Sequence, residues 1–405
     1  MKVLVLNCGS SSIKYQFIDT ELGIALAKGQ VERIGMSSAV LTHKPMDREK
    51  ISIVGEILDH TIAIEYVVAV LLSPNHGVIK DKSEIDAVGH RVVHGGEEFS
   101  GSVLITDEVM RVLRDNIELA PLHNPPNIKG IEAAKSHLPS TPQCGVFDTA
   151  FHAKMPEHAY LYGLPYELYK RYKLRRYGFH GTSHRFVAQR AAELLGRPYE
   201  ELKIITCHLG NGASVAAINH GKSIDTSMGF TPLEGLLMGT RCGDLDPALI
   251  TYVMGKEGLT LSEMNTLLNK HSGMIGLSGV SSDMREIEEA QEEGNKRAKI
   301  ALKAYNYRIK KYIGSYIAAL GGLDALVFTG GIGENSSFTR KEVCANMEYL
   351  GLELDEELNE NVKGEVIISK ADSKAKILRI PTNEELVIAL DTEIIVKDRV
   401  SVLEN

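Results

Sequence analysis

Several things this chain lacks narrow what it can be. No apolar run approaches the roughly 20 residues needed to cross a bilayer; residues 66–72 form one of the longest. The start has one lysine and then the short apolar run 3–6, well below the about 7 to 15 apolar residues of an export signal. A cytoplasmic home with no membrane partner is expected. The cysteines Cys8, Cys144, Cys207, Cys242 and Cys344 are odd in number, widely spaced and without a C-x-x-C pair. That pattern argues against a disulfide framework or a four-ligand zinc site, and they read as small buried hydrophobes. Basic excess is absent too: 45 Lys and Arg against 53 Asp and Glu leave a formal charge of −8 and a pI near 6.0. With no broad cationic surface, nucleic acid is not expected as a partner.

What is present is a globular composition, 43% hydrophobic and 24% charged, which argues against disorder or fibre. At roughly 100 to 200 residues per domain, a chain of 405 residues predicts two or three. Residues 2–19 read as an apolar strand, a Gly/Ser turn and an alternating strand; residues 204–219 repeat that grammar about half a chain later. Aligning Asn7 with His208 places Gly9 on Gly210 and Ser10 on Asn211, which suggests duplication of a whole domain. Between the hairpins strands and helices interleave: a strand over 87–94, and helices over 107–119 capped by Thr106, over 185–195 ended by Gly196, and over about 284–320 ended by Gly321. Thr382-Asn-Glu-Glu385 fits a capping box opening a final helix. The class is α/β. No low-complexity linker divides the chain, so the half-chain offset puts the boundary near residues 148–156.

The tips of both hairpins are candidate phosphate cradles, because small residues let backbone N–H groups approach an anion. A third is Leu326-Val-Phe-Thr-Gly-Gly-Ile-Gly-Glu-Asn335, a buried strand running into three glycines. None is a G-x-x-x-x-G-K-[ST] loop or a G-x-G-x-x-G fingerprint. Each alone is explained by hairpin turns needing positive φ; three together, two related by the repeat, point to a nucleotide bound between two similar domains.

At this point the sequence resembles the acetate kinase family. Asn7-Cys-Gly-Ser-Ser-Ser-Ile-Lys14 and His208-Leu-Gly-Asn-Gly212 look like its two signature segments. The likeness runs on through Gly89-His-Arg-Val-Val-His-Gly-Gly96, Pro121-Leu-His-Asn-Pro-Pro-Asn127, Phe147-Asp-Thr-Ala-Phe-His152, Gly178-Phe-His-Gly-Thr-Ser183, Met238-Gly-Thr-Arg-Cys-Gly-Asp244 and Ser281-Ser-Asp-Met-Arg285. The resemblance implies two duplicated actin-like, ribonuclease H-like domains with ATP in the cleft between them. The expected domains are 1–150, joined by the C-terminal helix 385–405, and 151–384, carrying most of the nucleotide site. A homodimer and a place in acetyl-CoA biosynthesis are implied as well.

Phosphoryl transfer to a carboxylate brings one anion against the polyanionic end of ATP, so the site must supply fixed cations and in-line positioning. Arg91 and Arg241 suit that task because a guanidinium stays charged and binds carboxylate or phosphate bidentately. By resemblance Arg91 holds acetate and Arg241 the transferring phosphoryl group, His180 donates to its equatorial oxygens, and His123 belongs to the same catalytic set. His208 reads as orienting its own loop. The resemblance also implies that Asn7 and Glu384 hold Mg²⁺ or Mn²⁺, an ion satisfied by few protein oxygens plus water and phosphate. The resemblance labels Asp148 an acid or base, but a carboxylate substrate is already ionised at pH 7, so Asp148 is expected to position metal, water or Asn7.

Carried over from the family, Ser10, Ser12, Lys14, His208, Leu209, Gly210, Asn211 and Gly212 would face the phosphates of ATP or ADP. Asp283, Met284 and Arg285 would face the adenosine; Gly330, Gly331, Ile332, Gly333, Glu334 and Asn335 would meet the nucleotide from the other side. The family's pocket positions correspond to Val93, Leu122, Phe179 and Pro232, whose bulk favours acetate over propionate or butyrate, the alternative substrates. A sugar kinase would need a general base and many hydroxyl-binding groups. An actin-like filament or chaperone ATPase is a further rival; the chaperone would need a peptide-binding domain after the ATPase, which is not expected in a chain read to Asn405.

Overall fold

A computed structural model describes residues 1–361 and 363–403. The chain forms two compact units: Met1–Ala153 joined by the segment that starts at Asn383, and Lys154–Thr382. In the first, Lys2–Cys8 (β1), Ser12–Asp19 (β2), Ile24–Glu32 (β3), Ala39–Pro45 (β4), Ile51–Gly55 (β5), Ala87–Val92 (β6), Val103–Leu104 (β7) and Gln143–Phe147 (β8) form one sheet, ordered β5-β4-β3-β2-β1-β6-β8-β7. In the second, Lys203–Leu209 (β9), Ala213–Asn219 (β10), Lys222–Thr226 (β11), Ala325–Thr329 (β12), Val366–Ile367 (β13) and Lys376–Arg379 (β14) are ordered β11-β10-β9-β12-β14-β13.

The half-chain repeat is visible in these orders. Each sheet contains three antiparallel strands in hairpin succession, β3-β2-β1 or β11-β10-β9, followed by two parallel ones, β6-β8 or β12-β14. The hairpin tips differ by one residue: four lie between the paired Cys8 and Ile13, three between Leu209 and Ala213.

The unbroken apolar run at 3–6 follows from burial on both faces of a central strand. Leu4 and Leu6 enter the core under the helix His60–Leu71; Val3 and Val5 enter the opposite core, closed by Ile388 and Ala389 of the C-terminal helix. That packing sets the start of the C-terminal helix beside strands β6 and β8. On the first face the helix Asn124–His137 lies so close to β1 that a Cβ on Gly130 would collide with Cys8 Sγ.

Local expectations needed four adjustments. The final helix is Glu384–Leu403, with residues 404–405 of the expected span outside the described residues. Its cap is Asn383, whose Oδ1 accepts from Leu386 N–H at 3.2 Å, while the Thr382 hydroxyl donates to Ser183 Oγ at 2.8 Å and is spent there. The helix expected over 284–320 is broken into Met284–Glu292 and Lys296–Leu320, because Gly294 turns at φ 91° and Asn295 caps the second piece. The helix at 107 keeps its Thr106 cap but is α only to Asp115, tightening to a 3₁₀ turn over Asn116–Leu119. The helix expected at 185 starts at Gly181, after His180 at φ 55°.

Candidate active site

In the first unit the candidate residues gather at the carboxyl ends of β1, β6 and β8, where open α/β sheets commonly bind ligands. The parallel ladder of β1 and β6 is paired as far as Leu6 and His90, so Asn7 and Arg91 are the next residues out. Arg91 grips Asp148 with two bonds, Nε to Oδ1 at 2.9 Å and Nη2 to Oδ2 at 2.6 Å. Asp148 is 2% exposed and Arg91 25%. Asp148 thus spends both oxygens on the guanidinium expected to receive the substrate carboxylate; the attraction raises the Arg91 pKa still further. A bidentate pair leaves Arg91 oriented, with N–H groups to spare for a second anion.

Half-buried Glu384 opens the C-terminal helix near this pair. Burial pushes its carboxyl up to about 7; Arg91 pulls it down, and Asp148 and Glu385 push it higher. One carboxylate with the Asn7 amide is a donor set that suits Mg²⁺ completed by water and phosphate oxygens. Among the described residues no group of three or more His, Cys, Asp or Glu could hold a metal. Lys14 pairs across the hairpin with Asn7. Ser10 is exposed and Ser12 half-buried; the tip is braced by Gly9 N–H to Ser12 O at 2.8 Å and by His60 Nε2, which donates to Gly9 O at 2.8 Å. Val93 is half-buried beyond the end of β6 and Leu122 is 71% exposed. His123 precedes the helix Asn124–His137, and beside it burial lowers His94 to about 3.

The second unit holds a histidine cluster. His180, in the left-handed region, stacks on His208 with ring centroids 4.2 Å apart. Ser214 Oγ contacts His180 Nδ1 at 3.0 Å and His184 Nε2 at 2.6 Å, and His184 Nδ1 reaches Thr206 Oγ1 at 2.6 Å. His208 Nδ1 meets Ser183 Oγ at 2.8 Å. These bonds fix ring orientation and leave Nε2 of His180 directed near Gly212. Arg241 reaches the same glycine: a Cβ on Gly212 would meet Arg241 Nη1 at 3.5 Å and His180 Nε2 at 3.6 Å. Arg241 Nη1 donates to Pro232 O at 3.1 Å. Arg241 has no carboxylate partner among the described residues, its other contact being Met238 Sδ at 3.6 Å, and burial lowers its pKa. Phe179 is 3% exposed and Pro232 half-buried.

The glycine-rich strand end becomes a short helix, Gly330–Asn335. Gly330 adopts φ 76° with its Cα packed on the Leu209 backbone, a place no side chain fits. Glu334 turns inward, accepting from Gly330 N–H at 3.0 Å and Thr382 N–H at 3.2 Å, and Asn335 Nδ2 donates to Gly331 O at 2.8 Å. Exposed Gly331 and half-buried Ile332 and Gly210 remain available, while Gly333, Leu209 and Met284 are buried. Asn211 is tied through its backbone to Gly239 N–H at 3.0 Å. Asp283 caps its helix and pairs bidentately with Arg285 on the surface.

Sequence reasoning missed the residues that orient these groups. Ser214 and His184 hold the histidines. Arg340, fully buried, donates to Gly333 O at 2.9 Å and Glu334 O at 3.0 Å, and Arg379 adds a bond to Glu334 O at 3.0 Å. His184 adjoins the Gly-Phe-His-Gly-Thr-Ser segment, which was a usable signal; nothing local marked Arg340.

A model of the Acetokinase family matches residues 2–390. The acetate kinase of Desulfitobacterium hafniense (strain Y51) is 60% identical over 392 residues, covering 97% of this chain and 98% of that protein. Among solved structures, acetate kinase from Porphyromonas gingivalis has a TM-score of 0.95 at 53% identity, with 98% and 99% of the two chains covered. A propionate kinase from Francisella tularensis subsp. tularensis SCHU S4 has a TM-score of 0.90 at 41% identity, with 97% and 99% covered.

Proposed function

The chain belongs to the acetokinase family, and on that premise we infer that it is an acetate kinase, reversibly transferring the γ-phosphoryl group of ATP to acetate. Acetyl phosphate and ADP are the products. The site assignment rests on the contrast between its arginines: Arg91 is held by buried Asp148, whereas Arg241, beside His180, has no carboxylate partner among the described residues. Arg91 binds the acetate carboxylate with the donors Asp148 leaves unused, and Asp148 keeps the guanidinium fixed. This role fits the chemistry better than proton abstraction, since acetate has no proton to lose.

Arg241 and His180 stabilise the equatorial oxygens of the transferring group, where charge spreads in the transition state. Ser214, bonded to His180 Nδ1, keeps the ring turned towards them. Asn7 and Glu384 would hold Mg²⁺, or Mn²⁺ in its place, and the ion would offset phosphate charge during transfer. Ser10, Ser12, Lys14 and the loop 208–212 receive phosphates, and the segments 283–285 and 330–335 receive the rest of the nucleotide. Val93, Leu122, Phe179 and Pro232 set substrate size.

The protein acts as a cytoplasmic homodimer, and its reversible reaction has a place in acetyl-CoA biosynthesis. No helix among the described residues is long and apolar enough to cross a membrane. A dimer is supported by the helix Ala248–Glu257, which buries no residue while exposing Leu249 and Tyr252 at 48% and 61%.

The reaction is tested by trapping acyl phosphate with hydroxylamine, using ATP, Mg²⁺ and acids from formate to butyrate beside glycerol and glucose. Product should peak at acetate. A folded, ATP-binding enzyme giving no acyl phosphate would contradict the reading.

A further inference from the structure

The segment Pro121-Leu-His-Asn-Pro-Pro-Asn127 supplied Leu122 and His123 to the site, but its buried side chains are the two asparagines, Asn124 at 0% and Asn127 at 4% exposure. The β1 and β6 strands run parallel with pairing to Leu6 and His90; past that point the backbones diverge into the Gly9 tip and the loop after Val92. Asn127 sits at the divergence. Its Nδ2 donates to Cys8 O at 2.8 Å and its Oδ1 accepts from Val93 N–H at 3.1 Å. A carbonyl can only accept and an amide N–H only donate, so one orientation of the side-chain amide satisfies both strands.

We propose that Asn127 is a positioning residue for phosphoryl transfer: its amide replaces the missing rung between β1 and β6. It thereby fixes Asn7, at the metal and phosphate end, relative to Arg91 and Val93 at the carboxylate end. The inference rests on the acetate kinase reading above. In-line transfer is sensitive to such spacing, a displacement of about 1 Å costing roughly 10²-fold in rate. The amide has a rigid mount. Pro125 and Pro126 preset φ in the first turn of its helix, and Gly130 seats that helix directly on Cys8. Asn124 works on one side only: Nδ2 donates to His94 O at 3.1 Å and Oδ1 accepts from His94 N–H at 3.3 Å, so it anchors the loop without touching β1.

Three variants of the full chain test this. Asn127→Ala removes both bonds. Asn127→Asp keeps the acceptor for Val93 but sets a carboxylate oxygen against the Cys8 carbonyl. Asn116→Ala is the control for a buried amide of the same unit that touches neither strand end, its Nδ2 donating to Val112 O and Glu98 Oε2. Asn127→Ala should lower kcat for acetate about tenfold or more and raise the propionate-to-acetate ratio of kcat/KM several-fold, as Val93 loses its anchor. Asn127→Asp should lower kcat and raise KM for Mg·ATP with that ratio unchanged. Asn116→Ala should lose stability yet keep kcat and the ratio within about twofold of wild type. A folded Asn127→Ala enzyme with kcat and ratio at wild-type values would overturn the proposal. If Asn127→Ala does not fold, an Asn127→Asp enzyme with wild-type kcat and nucleotide KM does so instead. The wild-type assay is read first: no acetyl phosphate there would overturn the acetate kinase reading instead.

Discussion

The two units repeat one sheet order but differ in how the cation near its tips is compensated. At the ends of β6 and β8, the cation Arg91 is neutralised by a buried carboxylate that holds it bidentately. Around β9 and β10 the side chains are histidines bonded to hydroxyls, and Arg241 rests on a backbone carbonyl, with no carboxylate partner among the described residues. One frame therefore supports a compensated cation in one unit and an uncompensated one in the other. A compensated guanidinium orients a substrate that arrives already charged. An uncompensated one has most to gain when negative charge concentrates on a transferring phosphoryl group.

The largest effect expected from breaking this contrast is on turnover. Arg91→Ala and Arg241→Ala should each lower kcat by about 10² or more, and Lys at either position should also be poor because bidentate geometry is lost; steady-state kinetics check this. Stability should separate the two. Arg91→Ala leaves Asp148 buried with an unpaired charge, a change that costs about 3 to 5 kcal/mol, whereas Arg241→Ala removes a buried cation without orphaning a carboxylate. Adding Asp148→Asn to Arg91→Ala should restore much of the lost stability and none of the activity.

A third expected effect is acid sensitivity of the first unit. Burial lowers His90 to about 4, and its Nε2 donates to Gln143 Oε1 at 2.7 Å. Since its folded pKa lies below the unfolded value, the unfolded chain binds more protons between pH 6.5 and 4. Stability from this group is therefore full above about pH 6.5 and is lost as pH falls, by about 2 to 3 kcal/mol near pH 4. His90→Gln should flatten that slope in denaturant titrations at stepped pH. The smallest effect is on specificity: Val93→Ala should raise the propionate-to-acetate ratio of kcat/KM roughly tenfold, the scale of one methylene in a pocket. An unchanged ratio would remove Val93 from the pocket.

The frame was legible because its signals are local. Apolar runs, two Gly-centred tips and their half-chain spacing gave both hairpins, and Thr106 and Gly196 marked helix ends where they stand. Contacts between distant residues were not legible. Asp148 lies 57 positions from Arg91, Asn127 lies 119 from Cys8, and nothing in local pattern announces either bond. The Thr382 cap failed for the same reason: its hydroxyl is claimed by Ser183, 199 positions away. Residue types identified who could act, and tertiary pairing decided which groups orient the others.

Arg91 is a carboxylate-paired cation, and Arg241 has no such partner among the described residues. Denaturant unfolding of Arg91→Ala and Arg241→Ala beside the wild-type chain at pH 7 should separate them: a loss of several kcal/mol for Arg91→Ala, reversed in large part by Asp148→Asn, and a change within about 1 kcal/mol for Arg241→Ala. Equal losses at the two positions, with no recovery from Asp148→Asn, would contradict that contrast.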